Sequence, residues 1–214
     1  MIPALFAPDL PPICRQVLLV TSPAETSNCA GLRLLDREAD NAWKQLGDVI
    51  PVTLGRNGLA WGFGEHQSPP PPNFRIKREG DGCSPAGVFR LPFAFGDAPA
   101  VDCKLNYIPI TETLLAVDDP QSRFYNQIVD SAQVTKDWTS TERMKREDGL
   151  YRWGIMVAHN PANRPGAGSC IFMHLWRGPG QPTAGCTAMS EEHLFRVLRW
   201  LDPALEPRLV QWIA

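Results

Sequence analysis

The sequence predicts a mainly β fold with a single helix, and three observations carry that expectation. The 21 prolines and 17 glycines cut the 214 residues into short elements, and both residue types punctuate helices and strands. The apolar runs are of strand length and are bounded by turn residues. The spacing of an amphipathic helix is clear only once, over residues 190–201. The length suits one domain over residues 1–214, with residues 1–15 a candidate N-terminal extension. Apolar residues make up 43% of the chain, enough to build a core.

Residues 16–21 (Gln-Val-Leu-Leu-Val-Thr) read as a buried strand and residues 32–37 as a second. Residues 43–52 contribute at least one more, and residues 59–62 a short strand before a turn. Residues 68–72, Ser followed by four prolines, cannot form ladder hydrogen bonds and read as a stiff polyproline II surface loop. Residues 87–91 are a strand, residues 92–119 loop-like, and residues 122–126 a structural loop. Residues 151–159 and 170–174 are core strands. The helix over residues 190–201 has Ser190 as N-cap and Glu191 and Glu192 in its first turn, where the dipole favours them. Leu194, Val197, Leu198 and Leu201 form its apolar face. Pro203 and Pro207 stop it, and residues 208–213 close the sheet.

The chemistry concentrates near the C-terminus. The run Ile171-Phe172-Met173-His174-Leu175 ends in a histidine region, and Thr183-Ala184-Gly185-Cys186-Thr187-Ala188-Met189 follows after one Gly/Pro-rich loop. A histidine at the end of a strand thus faces a cysteine at a glycine turn before a helix. A thiol needs a base to become a thiolate, and a helix N-terminus lowers its pKa further. The pattern suits thiol acyl transfer. Cys186 is the candidate nucleophile; His174 is its base and later the acid for the leaving amine. The backbone N–H groups of Gly185 and Cys186 are candidate oxyanion donors, and Gly185 leaves space for close substrate approach.

His174, Thr183, Gly185 and Cys186 resemble the histidine, loop and Ser-His-Gly-Cys motif of the YkuD-type L,D-transpeptidase catalytic domain. Ser84-Pro85-Ala86-Gly87-Val88-Phe89 is similar to the T/S-P-x-G-x-F turn and strand that precedes the site in that family, and the pieces come in the same order. Two departures mark a divergent branch: Ala184 replaces the motif histidine, and Ala188 replaces the usual Arg or Asn. Trp61-Gly62-Phe63-Gly64, residues 76–82, Tyr125-Asn126, Asp137-Trp138, Trp153-Gly154 and His174-Leu175-Trp176 look like the proteobacterial L,D-transpeptidases that form L-Ala to diaminopimelate (1,3) cross-links.

The resemblance implies a YkuD-like, β-sandwich-like sheet assembly with a helix after the catalytic cysteine. It implies attack on an L-centre to D-centre peptide bond, a thioester, and an incoming amine that takes the acyl group. Donor and acceptor are then diaminopimelate-containing peptidoglycan stem peptides, carbapenem β-lactams are inhibitors, and no metal or organic cofactor is needed. The backbone carbonyl of Leu175 would orient His174. Ala184 cannot supply an imidazole, so His159 is the candidate substitute beside its plain reading as a core histidine. Arg177 reads either as a fork for a carboxylate or as a solvated loop arginine. Trp176 could line the groove, and Thr183 matches the motif. Tyr125 and Asn126 are candidate binding residues that also read as loop structure, while Trp138 and Trp153 read as core.

A formal net charge of −2 gives no electrostatic case for nucleic acid or an anionic membrane surface, and no apolar run approaches a membrane span. The N-terminus lacks the basic n-region and apolar length of a signal peptide. Either an export signal has been removed from this chain or the protein is cytosolic; the resemblance favours the periplasm. With Cys186 as nucleophile, five of the six cysteines remain, and Cys14–Cys29 is the candidate disulfide by position. Cys170, His174, Cys186 and His193 have the residue types of a zinc site, but on a strand Cys170 and His174 would lie roughly 13 Å apart. A papain-like hydrolase places its cysteine before its histidine, the reverse of this order. Water in place of the amine would give an L,D-carboxypeptidase or an amidase releasing a peptidoglycan-tethered protein. A binding module with a retired site is the non-enzymatic alternative. Thiol labelling discriminates here, since an activated Cys186 is expected to react well below the usual thiol pKa.

Overall fold

The computed structural model describes residues 2–214. Its strands are, in order, β1 (Gln16–Ser22), β2 (Cys29–Arg37), β3 (Trp43–Gln45), β4 (Ile50–Thr53), β5 (Leu59–Trp61), β6 (Ser84–Arg90), β7 (Ala94–Gly96), β8 (Tyr107–Pro109), β9 (Leu114–Val117), β10 (Gln127–Asp130), β11 (Thr141–Arg143), β12 (Trp153–Met156), β13 (Phe172–Leu175), β14 (Thr187–Met189) and β15 (Arg208–Ile213), with α1 (Glu191–Trp200) after β14. The protein is mainly β, with its α-helix late in the chain. A large twelve-stranded sheet runs β5-β6-β15-β1-β2-β4-β14-β13-β12-β7-β8, with β3 on β2, and a separate small sheet runs β10-β9-β11.

The centre of the large sheet is β1, whose uninterrupted apolar run is explained by cores on both faces. Successive strand side chains point to opposite faces. Leu18 and Val20 enter one core with Leu194, Val197 and Leu198 of α1. Val17 and Leu19 enter the other, against Phe6, Leu10 and Trp61. Residues preceding β1 are therefore seated on the sheet. Phe6 is fully buried, its ring 5.7 Å from Trp61 and 5.4 Å from Trp212 between centroids. The N-cap of α1 is Ser190, which accepts from His193 N–H.

Several expectations shift. Residues 92–119 contain β7, β8 and β9 and are not simply a loop; each is only three or four residues long and its pattern too short to register. Residues 151–159 shrink to β12, because residues 149–152 form a turn closed by Arg152 N–H on Gly149 O. Cys170 lies outside β13, with φ +51°. Between Cys186 and α1 stands β14, a three-residue strand too short for a period to show. The Cys14–Cys29 disulfide is absent: both cysteines are free thiols. In the β1–β2 register Gln16 faces Asp36 and Thr21 faces Gly31, so Cys14 and Cys29 sit near opposite ends of the hairpin, roughly 30 Å apart along it. No helix of the described residues is long and apolar enough to cross a membrane.

Because Phe6 fills a site between two tryptophans, Phe6→Ala is expected to cost about 3–5 kcal/mol of stability. Urea unfolding measures it; a loss below about 0.5 kcal/mol, the level of a surface change, would show that residues 2–14 do not belong to the core.

Candidate active site

The site is built on the pairing of β13 with β14. These strands run parallel, with Met173 beside Thr187 and His174 beside Ala188. Alternation turns Met173 and Leu175 into the helix-side core, and Phe172 and His174 to the opposite face. Extending the register by one rung places Cys186 next to Phe172, on the face of His174 and diagonal to it. On the other side His174 faces Gly154. The imidazole thus stands between the two smallest side chains available, Gly154 and Ala188. A Cβ at Gly154 would lie 2.2 Å from the Phe95 ring, and that ring packs edge-on against Phe172 at 5.1 Å.

Cys186 and His174 line one cavity of about 360 Å³, together with Trp176, Arg177, Thr183, Ala184 and Gly185. His174 Nδ1 is 2.7 Å from Leu175 O. A carbonyl only accepts, so Nδ1 carries the proton and Nε2 is left as the basic nitrogen. Tyr151 braces the imidazole edge-on at 5.1 Å. The cysteine's backbone is clamped from two directions: Ser84 Oγ donates to Cys186 O at 3.0 Å and Thr183 Oγ1 at 2.6 Å. Ser84 is itself fixed by Gly55 N–H at 2.9 Å. Behind the clamp, Thr187 Oγ1 donates to Gln211 Oε1, and Gln211 Nε2 to Pro85 O. The upstream Ser84–Phe89 piece and the Thr183–Cys186 piece, far apart in sequence, are thereby tied together. Gly87 in that piece has φ +140°, and a Cβ there would meet the His66 ring at 2.2 Å, so only glycine fits.

The thiol rests against main-chain groups: Phe172 N–H donates to Sγ at 3.4 Å, and Sγ donates to Cys170 O at 3.8 Å. The left-handed Cys170 turns its carbonyl that way. Asn126, also left-handed at φ +62°, holds Cys170 N–H on its Oδ1 at 2.8 Å.

Burial dominates the electrostatics. It pushes the Cys186 thiol up to about 12, with the nearby Glu142 carboxylate adding to the effect. It drives His174 down to about 4, against the raising effect of its bond to Leu175 O. Thiol and imidazole are therefore both neutral at rest. This corrects two expectations. Cys186 is not at a helix N-terminus, since β14 intervenes and the dipole of α1 is met by Ser190. Nor is the thiol ionised in advance.

Other candidates sort by position. Gly185 N–H is engaged by Thr183 Oγ1 at 3.1 Å, so it is not a free oxyanion donor; Cys186 N–H meets no acceptor among the described residues. His159 is buried away from the cavity and does not replace the missing imidazole at Ala184. Its Nδ1 accepts from Phe63 N–H and its Nε2 donates to Ala167 O, and burial holds it down at about 3. Tyr125 and Asn126 do not line the cavity either. Tyr125 Oη donates to Glu79 and accepts from Gly168 N–H; Asn126 Nδ2 donates to His159 O and Asn160 O. Both set the loop that carries Cys170. Arg177 lines the cavity with a long 3.5 Å contact to Asp148. His193 turns to Ser190, and among the described residues no group of three His, Cys, Asp or Glu side chains converges to hold a metal.

No protein-family model, curated protein or solved structure matches this chain.

The wall opposite the cysteine carries little signal in the sequence. Tyr151 Oη donates to Glu142 Oε2 at 2.8 Å, Arg146 pairs with Glu142 and grips Asp148 with both arms, and the Arg146 guanidinium lies 5.0 Å over the Tyr151 ring. The Arg146 pair holds Asp148 down at about 2. Residues 141–148 carry charges of both signs, which reads as solvated surface. Only the i, i+4 spacing of Glu142 and Arg146 hinted at a pair.

Two outcomes are expected. Iodoacetamide labelling of Cys186, read by peptide mass spectrometry, should rise steadily from about pH 7 to about pH 10 without a plateau; a plateau beginning below about pH 7 would mean a pre-formed thiolate. Unfolded histidines take a proton near 6.5, whereas folded His174 and His159 resist until about 4 and about 3. The unfolded state therefore binds more protons throughout that window. Stability should change little between about pH 7 and about pH 8 and fall below about 6.5, by up to about 1.4 kcal/mol per pH unit for each histidine. Melting curves across this range check it, and a constant melting temperature down to about pH 4 would refute it.

Proposed function

We propose that this protein is a cysteine acyltransferase of the L,D-transpeptidase kind, acting on peptidoglycan stem peptides. The observation that carries the proposal is the His174 Nδ1–Leu175 O bond, which leaves Nε2 as a base on the wall that also presents Cys186. Supporting it are the double clamp on the Cys186 carbonyl and the free Cys186 N–H, which can donate to a developing oxyanion.

Binding of a peptide turns Sγ from Cys170 O toward His174 Nε2. Sulfur attacks the carbonyl carbon while its proton passes to Nε2, forming an S–C bond and an oxyanion. The intermediate collapses, the C–N bond breaks, and the leaving amine takes the proton from His174. A thioester remains. An incoming amine attacks it, gives its proton to His174, and the sulfur departs to be reprotonated. Because thiol and imidazole start neutral, the thiol is activated only as the proton moves, within the bound complex. Arg177 and Trp176 bound the groove. Transfer to an amine, and formation of the (1,3) cross-link, is the finer reading; with water as acceptor the same thioester would give a carboxypeptidase or amidase. A periplasmic setting follows from that substrate.

Cys186→Ala is expected to abolish acyl transfer with little change in melting temperature. Mass spectrometry of the protein with disaccharide-peptide fragments should show a cross-linked dimer with loss of the donor's terminal residue, and a carbapenem should add its mass to Cys186. Shortened monomer without dimer would move the function to hydrolysis; full activity in the variant would end the proposal.

A further inference from the structure

The wall of the cavity opposite the catalytic loop belongs to the small sheet. Ala116 of β9 pairs with Glu142 of β11, and strand alternation puts Asp118, just past the end of β9, on the same face as both. Two carboxylates therefore stand diagonally on one wall. Glu142 is answered by Arg146 and by the Tyr151 hydroxyl. Asp118 is not answered: its Oδ1 is shut off from solvent with no hydrogen-bond partner, and no ion pair reaches it among the described residues. The other buried cation that lines the cavity, Lys77, is held by Asp81 Oδ1 at 2.7 Å.

Asp118 is also close-coupled to the nucleophile. Val117 O, immediately before it, accepts from Cys170 Sγ at 3.5 Å, and Cys170 O accepts from the Cys186 thiol. Asp118 lines the cavity and is only partly buried, so a carboxylate that no protein donor holds stands where a charged donor of a ligand can reach it. Beside Asp118 a ligand carboxylate meets a like charge, and the nearby Arg146 and Arg177 are turned to Glu142 and Asp148. A protonated primary amine fits, being compact and carrying three donors.

We infer that Asp118 is a specificity-determining residue that recognises a protonated primary amine on the peptide whose carbonyl Cys186 attacks. This rests on the acyl-transfer reading of the site. It accounts for an acidic residue without a protein donor in a cavity where Glu142, Glu79 and Arg146 all have partners.

The test compares two peptides with the full chain: a disaccharide-tetrapeptide with its side-chain amine free, and the same compound with that amine acetylated. A carbapenem reports separately whether Cys186 can be acylated. The protein should prefer the free amine at least about tenfold in kcat/KM, chiefly through KM. Asp118→Asn should bring the preference close to one, and Asp118→Glu should restore part of it, which a merely structural residue would not do. Equal use of both peptides by the unaltered protein, or a preference that survives in Asp118→Asn, overturns the inference while leaving acyl transfer intact. Carbapenem labelling with neither peptide used also overturns it. A Cys186 that accepts neither peptide nor carbapenem defeats the acyl-transfer reading as well.

Discussion

The parallel pairing of β13 and β14 is the constraint on which the site depends. A parallel register fixes which residues share a face, and a slip of one rung would send either His174 or Cys186 to the opposite side of the sheet. The register is held from outside the pair. Ser84 and Thr183 grip the Cys186 carbonyl, and Gln211 links Thr187 to the backbone of Pro85. β6, β14 and β15 are thus joined by buried side-chain hydrogen bonds as well as by the fold of the sheet. Such bonds are worth most where water cannot compete, and Ser84, Thr187 and Gln211 are all buried.

The same enclosure sets the chemistry of the resting state. Moving a thiolate or an imidazolium out of water is costly, so the enclosed pair stays neutral. The Leu175 carbonyl does not reverse this; its contribution is to choose the tautomer. A site of this kind is ready in geometry and dormant in charge. For the proposed acyl transfer, dormancy means that stray electrophiles meet a thiol, while a bound peptide supplies the occasion for proton transfer. The thiol's contact with Cys170 O serves as its parking position, and Asn126 maintains it through Cys170 N–H.

Much of this was legible in the sequence, for identifiable reasons. β1 announced itself because both faces of the strand are buried, leaving no polar positions to interrupt the run. α1 was legible to within one residue at each end because Ser190 caps it and its apolar stripe is regular. Cys186 and His174 stood out by residue type and by their place around one loop. What the sequence hid was non-local. β7, β8 and β9 carry too few residues for a period to show. The burial of the thiol depends on Tyr151, Phe172 and the small sheet together, and no local pattern carries it. Tyr125 and Asn126 drew attention for their chemistry, yet they act on the backbone of Gly168 and Cys170 from behind the cavity wall. His159 pointed, from its position at the end of a strand, to a site it does not reach, because its two ring nitrogens are already committed to Phe63 and Ala167.

The division of labour between the two sheets follows from their connectivity. Nucleophile, base and clamp all sit on the large sheet or on the loop joining two of its adjacent strands, where several neighbours must move before any of them can. The opposite wall comes from β9 and β11, which pair with each other in a sheet completed by β10 on β9 and separate from the large sheet. The two meet mainly through apolar side chains, the Phe95, Tyr151 and Phe172 rings against Ala116 and Met144, with the Tyr151 hydroxyl on Glu142 as a polar link. A hydrogen-bonded ladder couples its strands rigidly, whereas an apolar contact between sheets tolerates small displacement and substitution. Residues on the small sheet can therefore change the shape and charge of the cavity without disturbing the register of β13 and β14. That is where Asp118 lies, so its charge is carried by an element that shares no ladder with the reacting pair.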